Sequence, residues 1–200
     1  MKTLIIAAAA VMALTGPALA IDPSPEAISS TYKPNKTLHA DDVAALMRTA
    51  ERWCYNEEAG SCDWAEIYLS AETGSAGIAY ESLNTWDADR NIVFVDKAEF
   101  RDQRYVCEYG YDNLPSLRAS RADGSAIGGR ELEAFRLEIR SSREGGTDDC
   151  FDYVYVSYDA AAATMQLKQR QYIGGVVDPA LEAAITLHFN AEDAAALTTY

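Results

Sequence analysis

Cysteine is the residue type whose spacing in this 200-residue chain most narrows the available chemistry. Cys54 and Cys62 bracket "YNEEAGS", while Cys107 and Cys150 stand alone further along, giving C-x7-C, then 44 and 42 intervening residues. Three chemistries use such residues: dithiol exchange, zinc ligation and covalent cross-linking. Exchange needs a C-x-x-C pair, and there is none. A structural zinc site needs close ligand pairs, but the two histidines, His39 and His188, are remote from any close cysteine pair. Cross-linking remains. The pairing favoured is Cys54–Cys62 with Cys107–Cys150, and spacing leaves the other two pairings open. In the chain-entropy account the short loop contributes roughly 2.5 kcal/mol and the long one about 4 kcal/mol.

Other chemistry-bearing groupings are weaker. Asp87, Asp89 and Asn91 have calcium-loop spacing and are metal-ligating candidates, to which Asp148 and Asp149 could add carboxylates from another loop. The loop rule then asks for Gly and Glu where this chain has Ile92 and Ala98, so a polar hairpin turn accounts for them better. Asp148 and Asp149 in "GGTDD" read as an acidic turn. There is no G-x-S-x-G nucleophile elbow and no Gly-rich phosphate loop. His39 stands at a helix start. His188 lies between Leu187 and Phe189 with no identifiable partner for base catalysis. Carboxylates are abundant enough for a two-acid hydrolase, but no pair stands out. Tyrosine is the unusual signal. Tyr105, Tyr109, Tyr153 and Tyr155 are candidate ligand-binding residues, with Tyr111, Tyr158 and Tyr172 nearby in sequence. A tyrosine offers apolar area with a polar tip. It is also simply a good strand residue.

The first twenty residues set the compartment. Lys2 is their only charge, Leu4–Leu14 is an unbroken apolar run, and Ala18-Leu19-Ala20 follows Pro17. That is the order of a secretory signal and predicts cleavage after Ala20. The run is shorter than the roughly 20 residues a membrane span needs. Residue 21 is Ile rather than Cys, so no lipid anchor is expected. Export to the periplasm or beyond would place all four cysteines in an oxidising environment.

Charge narrows the partners. The chain has 31 acidic and 17 basic residues; without Lys2 the basic count is 16, and the net charge is −15. The segment 38–96 carries 12 acids against 3 bases, and 144–200 carries 9 against 2. Such a surface repels nucleic-acid phosphates and anionic lipid and favours cationic partners.

The elements that must position these residues come from periodicity. Ile21–Lys36, with three prolines, predicts an extended or disordered tether. Val43, Leu46, Met47, Ala50, Trp53 and Cys54 follow a helical stripe. Strands are expected at 63–70, 76–83, 91–96, 104–111, 150–159 and 164–173. The segment 131–141 is ambiguous; Phe135, Leu137 and Ile139 alternate, and a strand is chosen. Pro179 behind Asp178 predicts a short helix, "ITLHF" a last strand and "NAEDAAAL" a final helix capped by Asn190. The sum is one α+β domain over 38–200: an N-terminal amphipathic helix on a curved antiparallel sheet, with a short C-terminal helix and two disulfides.

These readings favour an exported, disulfide-stabilised, non-catalytic binding module of the bacterial periplasm or envelope, without cofactor. Its partner would be a protein or small ligand, preferably cationic. A small hydrolase using an acidic pair, with His188, and a structural envelope component are the alternatives.

Overall fold

The computed structural model describes residues 22–74, 77–110, 112–142 and 149–199. The secretory-signal segment, Tyr111, Asp148 and most of the "REGGTDD" turn therefore lie outside the described residues.

In chain order the elements are α1 (Pro25–Thr31), β1 (Lys36–Thr37), α2 (Ala40–Thr49), β2 (Arg52–Tyr55), β3 (Ser61–Cys62), β4 (Trp64–Ala71), β5 (Ile78–Asp87), β6 (Arg90–Arg101) and β7 (Tyr105–Glu108). A single 3-10 turn at Leu114–Ser116 leads to β8 (Arg118–Arg121), β9 (Ala126–Ile127) and α3 (Gly129–Ser142). The chain ends with β10 (Cys150–Asp159), β11 (Thr164–Ile173), β12 (Val176–His188), α4 (Ala191–Ala196) and β13 (Thr198–Thr199).

The α+β class expected from the sequence is not the one observed. The described residues are mostly antiparallel β-sheet, and that sheet closes on itself. β10-β11-β12-β2-β4-β5-β6 are hydrogen-bonded in that order, and β7 pairs both β6 and β10. Eight strands thus form a ring whose order follows the chain, with β3 and the β8–β9–α3 segment outside it and β12 closing on β2, as in an up-and-down barrel. A ring of this size leaves an interior that side chains either fill or surround.

Period-two alternation explains the inside. Trp53 and Tyr55 on β2, Met165 and Leu167 on β11, and Ile185 and Leu187 on β12 all point into one core and are buried. One end is stoppered by α2. Asp41 and Asp42 stand in its first turn and Arg48 in its last, each complementing the helix dipole. Val43, Leu46 and Met47 are buried in the barrel core, each contributing roughly 1.5–3 kcal/mol by the area removed from water. The Arg48 guanidinium bonds Asp22 and the Ala71 carbonyl, which locks the helix to the rim.

Four local expectations differ from what is observed. The helix expected to run through Cys54 is α2, which ends at Thr49, and Trp53 and Cys54 lie in β2, paired with Glu66 and Ala65 of β4. Burying the indole in the barrel outweighs continuing the helix. Residues 131–141 are helical: Phe135 and Ile139 are buried, while Leu137 is 63 % exposed, so the apparent alternation carried one residue too many. Pro179 lies in β12 rather than opening a helix. Gln171 pairs with Asp178 but Gln169 with Ala183, so residues 179–182 bulge out of the ladder, where a missing N–H costs no bond. Within the expected tether, Ser24 caps α1, Ile28 is buried, and Lys36 and Thr37 pair with β10.

β6 is longer than the barrel. Its second half pairs β7 and its first half pairs β8, which carries β9 and α3 outward. Ile92, Leu117, Ile127, Phe135 and Ile139 form a second, separate core there.

Two disulfides join Cys54 to Cys62 and Cys107 to Cys150. The first holds β3 against the outside of β2, beside Ala65 and Leu83. The second lies across the narrowest seam of the ring. β7 meets β10 at only two paired positions, Cys107↔Cys150 and Val106↔Phe151. Outside this seam the buried Asp152 carboxylate receives Arg104 and Arg170, with the Tyr172 hydroxyl at 3.0 Å. Burial works to raise its pKa, but the two guanidinium groups outweigh that and hold it below the usual carboxylate range.

Candidate functional site

The barrel end opposite α2 is hollow. A cavity of about 400 Å³ opens there, a size suited to a small organic ligand. Its position follows from strand phase. On β4 the inward residues are Trp64, Glu66 and Tyr68, and on β5 Tyr80 is directly opposite Tyr68. β7 contributes Val106 and Glu108, β10 contributes Phe151 and Tyr153, and β11 contributes Gln169 and Gln171. The residues 179–182 that leave the ladder of β12 lie over the mouth, where Ala180, Leu181 and Glu182 line it. Lys168 holds Glu182 at 3.0 Å.

Two carboxylates are drawn into this apolar, aromatic space. Glu66 is only 9 % exposed. Its Oε2 accepts hydrogen bonds from the Tyr55 hydroxyl at 2.8 Å and the Tyr68 hydroxyl at 2.6 Å. Its Oε1 takes no hydrogen bond from a described residue and is not sealed off by protein atoms. Burial pushes the Glu66 carboxyl up to about 7, against the two tyrosine bonds that favour the charged form. Glu108 Oε1 accepts from the Tyr80 hydroxyl at 2.9 Å, and burial raises its pKa too. Burial likewise raises the Tyr55, Tyr68 and Tyr80 hydroxyls far above their ordinary range, so all three remain donors. Asp96 on β6 adds negative charge that raises both glutamates further, and it accepts from Asn113 at 2.6 Å.

Ring packing makes this wall firm. Tyr55 and Trp64 stack with centroids 4.3 Å apart, and Trp53 meets Tyr68 and Tyr153 edge-on at 5.2 and 5.3 Å. Such pairs stabilise by about 0.5–1.5 kcal/mol each beyond their area.

The four tyrosines singled out from the sequence are scattered. Tyr153 lines the cavity. Tyr155 shares its phase but lies deeper, beside Tyr32. Tyr105 is outside the ring, edge-on to Tyr172 and under Arg104, beside the Cys107–Cys150 bridge. Tyr109 follows β7 and is 40 % exposed. Asp87, Asp89 and Asn91 occupy the β5–β6 turn. There Asp87 binds Arg90, its Oδ1 accepts the Asp89 N–H, and Asn91 accepts the Thr85 hydroxyl. Among the described residues no group of three or more His, Cys, Asp or Glu side chains is placed to hold a metal ion. His188 meets Glu57 at 2.9 Å, away from the residues that line the cavity. The side chain of His39 makes no capping bond to α2.

Compared with protein families, curated proteins and solved structures, the chain matches none. The site must stand on its own chemistry. Reading along the chain alone misses Glu66, Glu108, Tyr55, Tyr68 and Tyr80 as one constellation. A signal was nevertheless present: Glu66 falls in phase with Trp64 and Tyr68, and Glu108 with Val106. A charged residue in the apolar phase of a strand announces either an error of register or a buried functional group.

Proposed function

We propose that this protein is an exported, non-catalytic binding module that takes a small organic ligand into the open end of its barrel. The observation that carries this reading is the asymmetry of the interior: one end is filled by α2, and the other is a cavity walled by rings around a buried, half-bonded carboxylate. A protein designed only for stability gains nothing from a buried Glu66 that a Leu or Phe would not improve upon. The two disulfides support a role in an oxidising compartment, periplasmic or secreted. The net charge favours a cation over an anion.

Trp64 reports on the site directly. Titrating small cationic, neutral and anionic aromatics while following tryptophan emission should show saturable binding by at least one class, with shifts of cavity resonances in NMR spectra. Failure of every class to perturb those resonances would refute the proposal.

A second reading is favoured by one observation: Glu66 and Glu108 line the same cavity, one with its pKa near neutrality. That is the equipment of a two-carboxylate hydrolase. Turnover of an aryl glycoside that disappears in both Glu66→Gln and Glu108→Gln would replace the binding reading with this one.

A further inference from the structure

The charge balance of the cavity names its ligand more closely. Three carboxylates, those of Glu66, Glu108 and Glu182, line it, and among the described residues no Lys, Arg or His does. Glu182 is already neutralised by Lys168 at the rim. Glu66 and Glu108 have no cationic partner among the described residues. Each spends one oxygen on tyrosine hydroxyls and has the other free of hydrogen bonds from described residues. A carboxylate removed from water demands charge compensation and N–H or O–H donors.

We infer that the cavity binds a protonated primary amine carried on an apolar or aromatic body, with the ammonium hydrogen-bonded to Glu66 Oε1 and close to Glu108. This rests on the reading of the cavity as a small-ligand site. An ammonium offers three N–H donors, so it supplies both the charge and the bonds that Glu66 lacks. Tyr68, Tyr80 and Phe151, which line the cavity, receive the body. A quaternary ammonium supplies charge but no donor and is the poorer fit.

Binding should be linked to protons. The ionisable groups facing Glu66 are Tyr55 from β2, Tyr68 from β4, Tyr80 from β5, Asp96 from β6, Glu108 from β7 and Tyr153 from β10. None is cationic, and the tyrosines keep their protons. Between pH 5 and 8 the events that matter are ionisation of Glu66 and of Glu108, whose pKa burial also raises, while an alkylamine remains protonated to about pH 10. Affinity should therefore rise with pH and level off above about 7, the value to which burial carries Glu66.

The test uses the oxidised protein and three probes that share one body: 2-phenylethylamine, its N-trimethylated cation and 2-phenylethanol. Calorimetry at pH 8 should show the primary amine binding at least about tenfold tighter than either of the others. The advantage should fall about tenfold per pH unit on acidification below 7. Glu66→Gln should remove it, and Glu108→Gln should reduce it by a smaller factor. A thermal melt of each variant checks folding. Equal affinities for amine and alcohol overturn the inference and leave the binding module standing. Tighter binding of the trimethylated cation, or an advantage that survives in both variants, also overturns it. Should none of the three bind, with cavity resonances unmoved by every class of small aromatic, the binding reading falls along with the inference.

Discussion

The two ends of the barrel are built by the same strands and end differently. Trp53 and Tyr55 are two residues apart on β2, both inward and both buried. Trp53 is packed among core side chains, and Tyr55 gives its hydroxyl to Glu66 at 2.8 Å. Toward α2 the interior is closed by Val43, Leu46 and Met47. Away from it, Glu66 and Glu108 bracket empty space. Alternation therefore specifies which side chains face inward but not whether the interior is filled. What decides the latter is the presence of an apolar stopper at one end and its absence at the other. The first end contributes stability, and the second spends some of it on a site.

The sharpest way to break this comparison is to open the ring itself. Replacing Cys107 and Cys150 by Ser should cost about 4 kcal/mol in urea unfolding and abolish ligand binding, because Val106, Glu108 and Phe151 line the cavity beside that seam. The Cys54–Cys62 pair lies outside the ring, so its removal should cost roughly 2.5 kcal/mol with affinity retained.

At the stoppered end, Leu46→Ala should cost roughly 3 kcal/mol in the same assay, the usual price of a cavity in a packed core, with unchanged ligand affinity.

At the open end the sign reverses. A buried acid whose pKa is raised is less stable in its charged form. Glu66 thus imposes nothing below its unfolded value of 4.5, a growing penalty between there and about 7, and a constant penalty above. Glu66→Gln should stabilise the fold by up to about 3 kcal/mol at pH 8 and change nothing at pH 4. Chemical denaturation at the two pH values measures this; a destabilised variant at pH 8 would mean that the glutamate supports the fold.

The smallest effect expected is at neither end. Asn190 caps α4 by accepting the N–H groups of Glu192 and Asp193, and Asn190→Ala should cost about 1 kcal/mol without touching the cavity.

How much of this was legible beforehand depended on range. Cys54 and Cys62 are close enough in sequence that the small loop suggests their pairing, and the strands around Tyr68, Phe94, Tyr153 and Leu167 follow from local composition. Closure of the ring did not follow, since it depends on β7 reaching β10 across the whole β8–β9–α3 insertion. Nor did the union of Glu66 with Glu108, which stand on β4 and β7 and meet only once register is set. The α3 segment misled because Phe135, Leu137 and Ile139 satisfy two periods at once, and solvent exposure of Leu137 decided between them. Pro179 misled because helix-opening chemistry also suits a bulge that has left its ladder.

One feature of the seam reaches beyond the single molecule. Were β7 to part from β10, the backbone around Cys150 and Phe151 would keep β11 but lose its partners on the other side and present a bare strand margin, as would β7 beyond β6. Such margins recruit one another between chains. The cross-strand sulfur bridge therefore acts against self-association as well as against unfolding, and size-exclusion chromatography after reduction should show multimers where the oxidised protein runs as a single species.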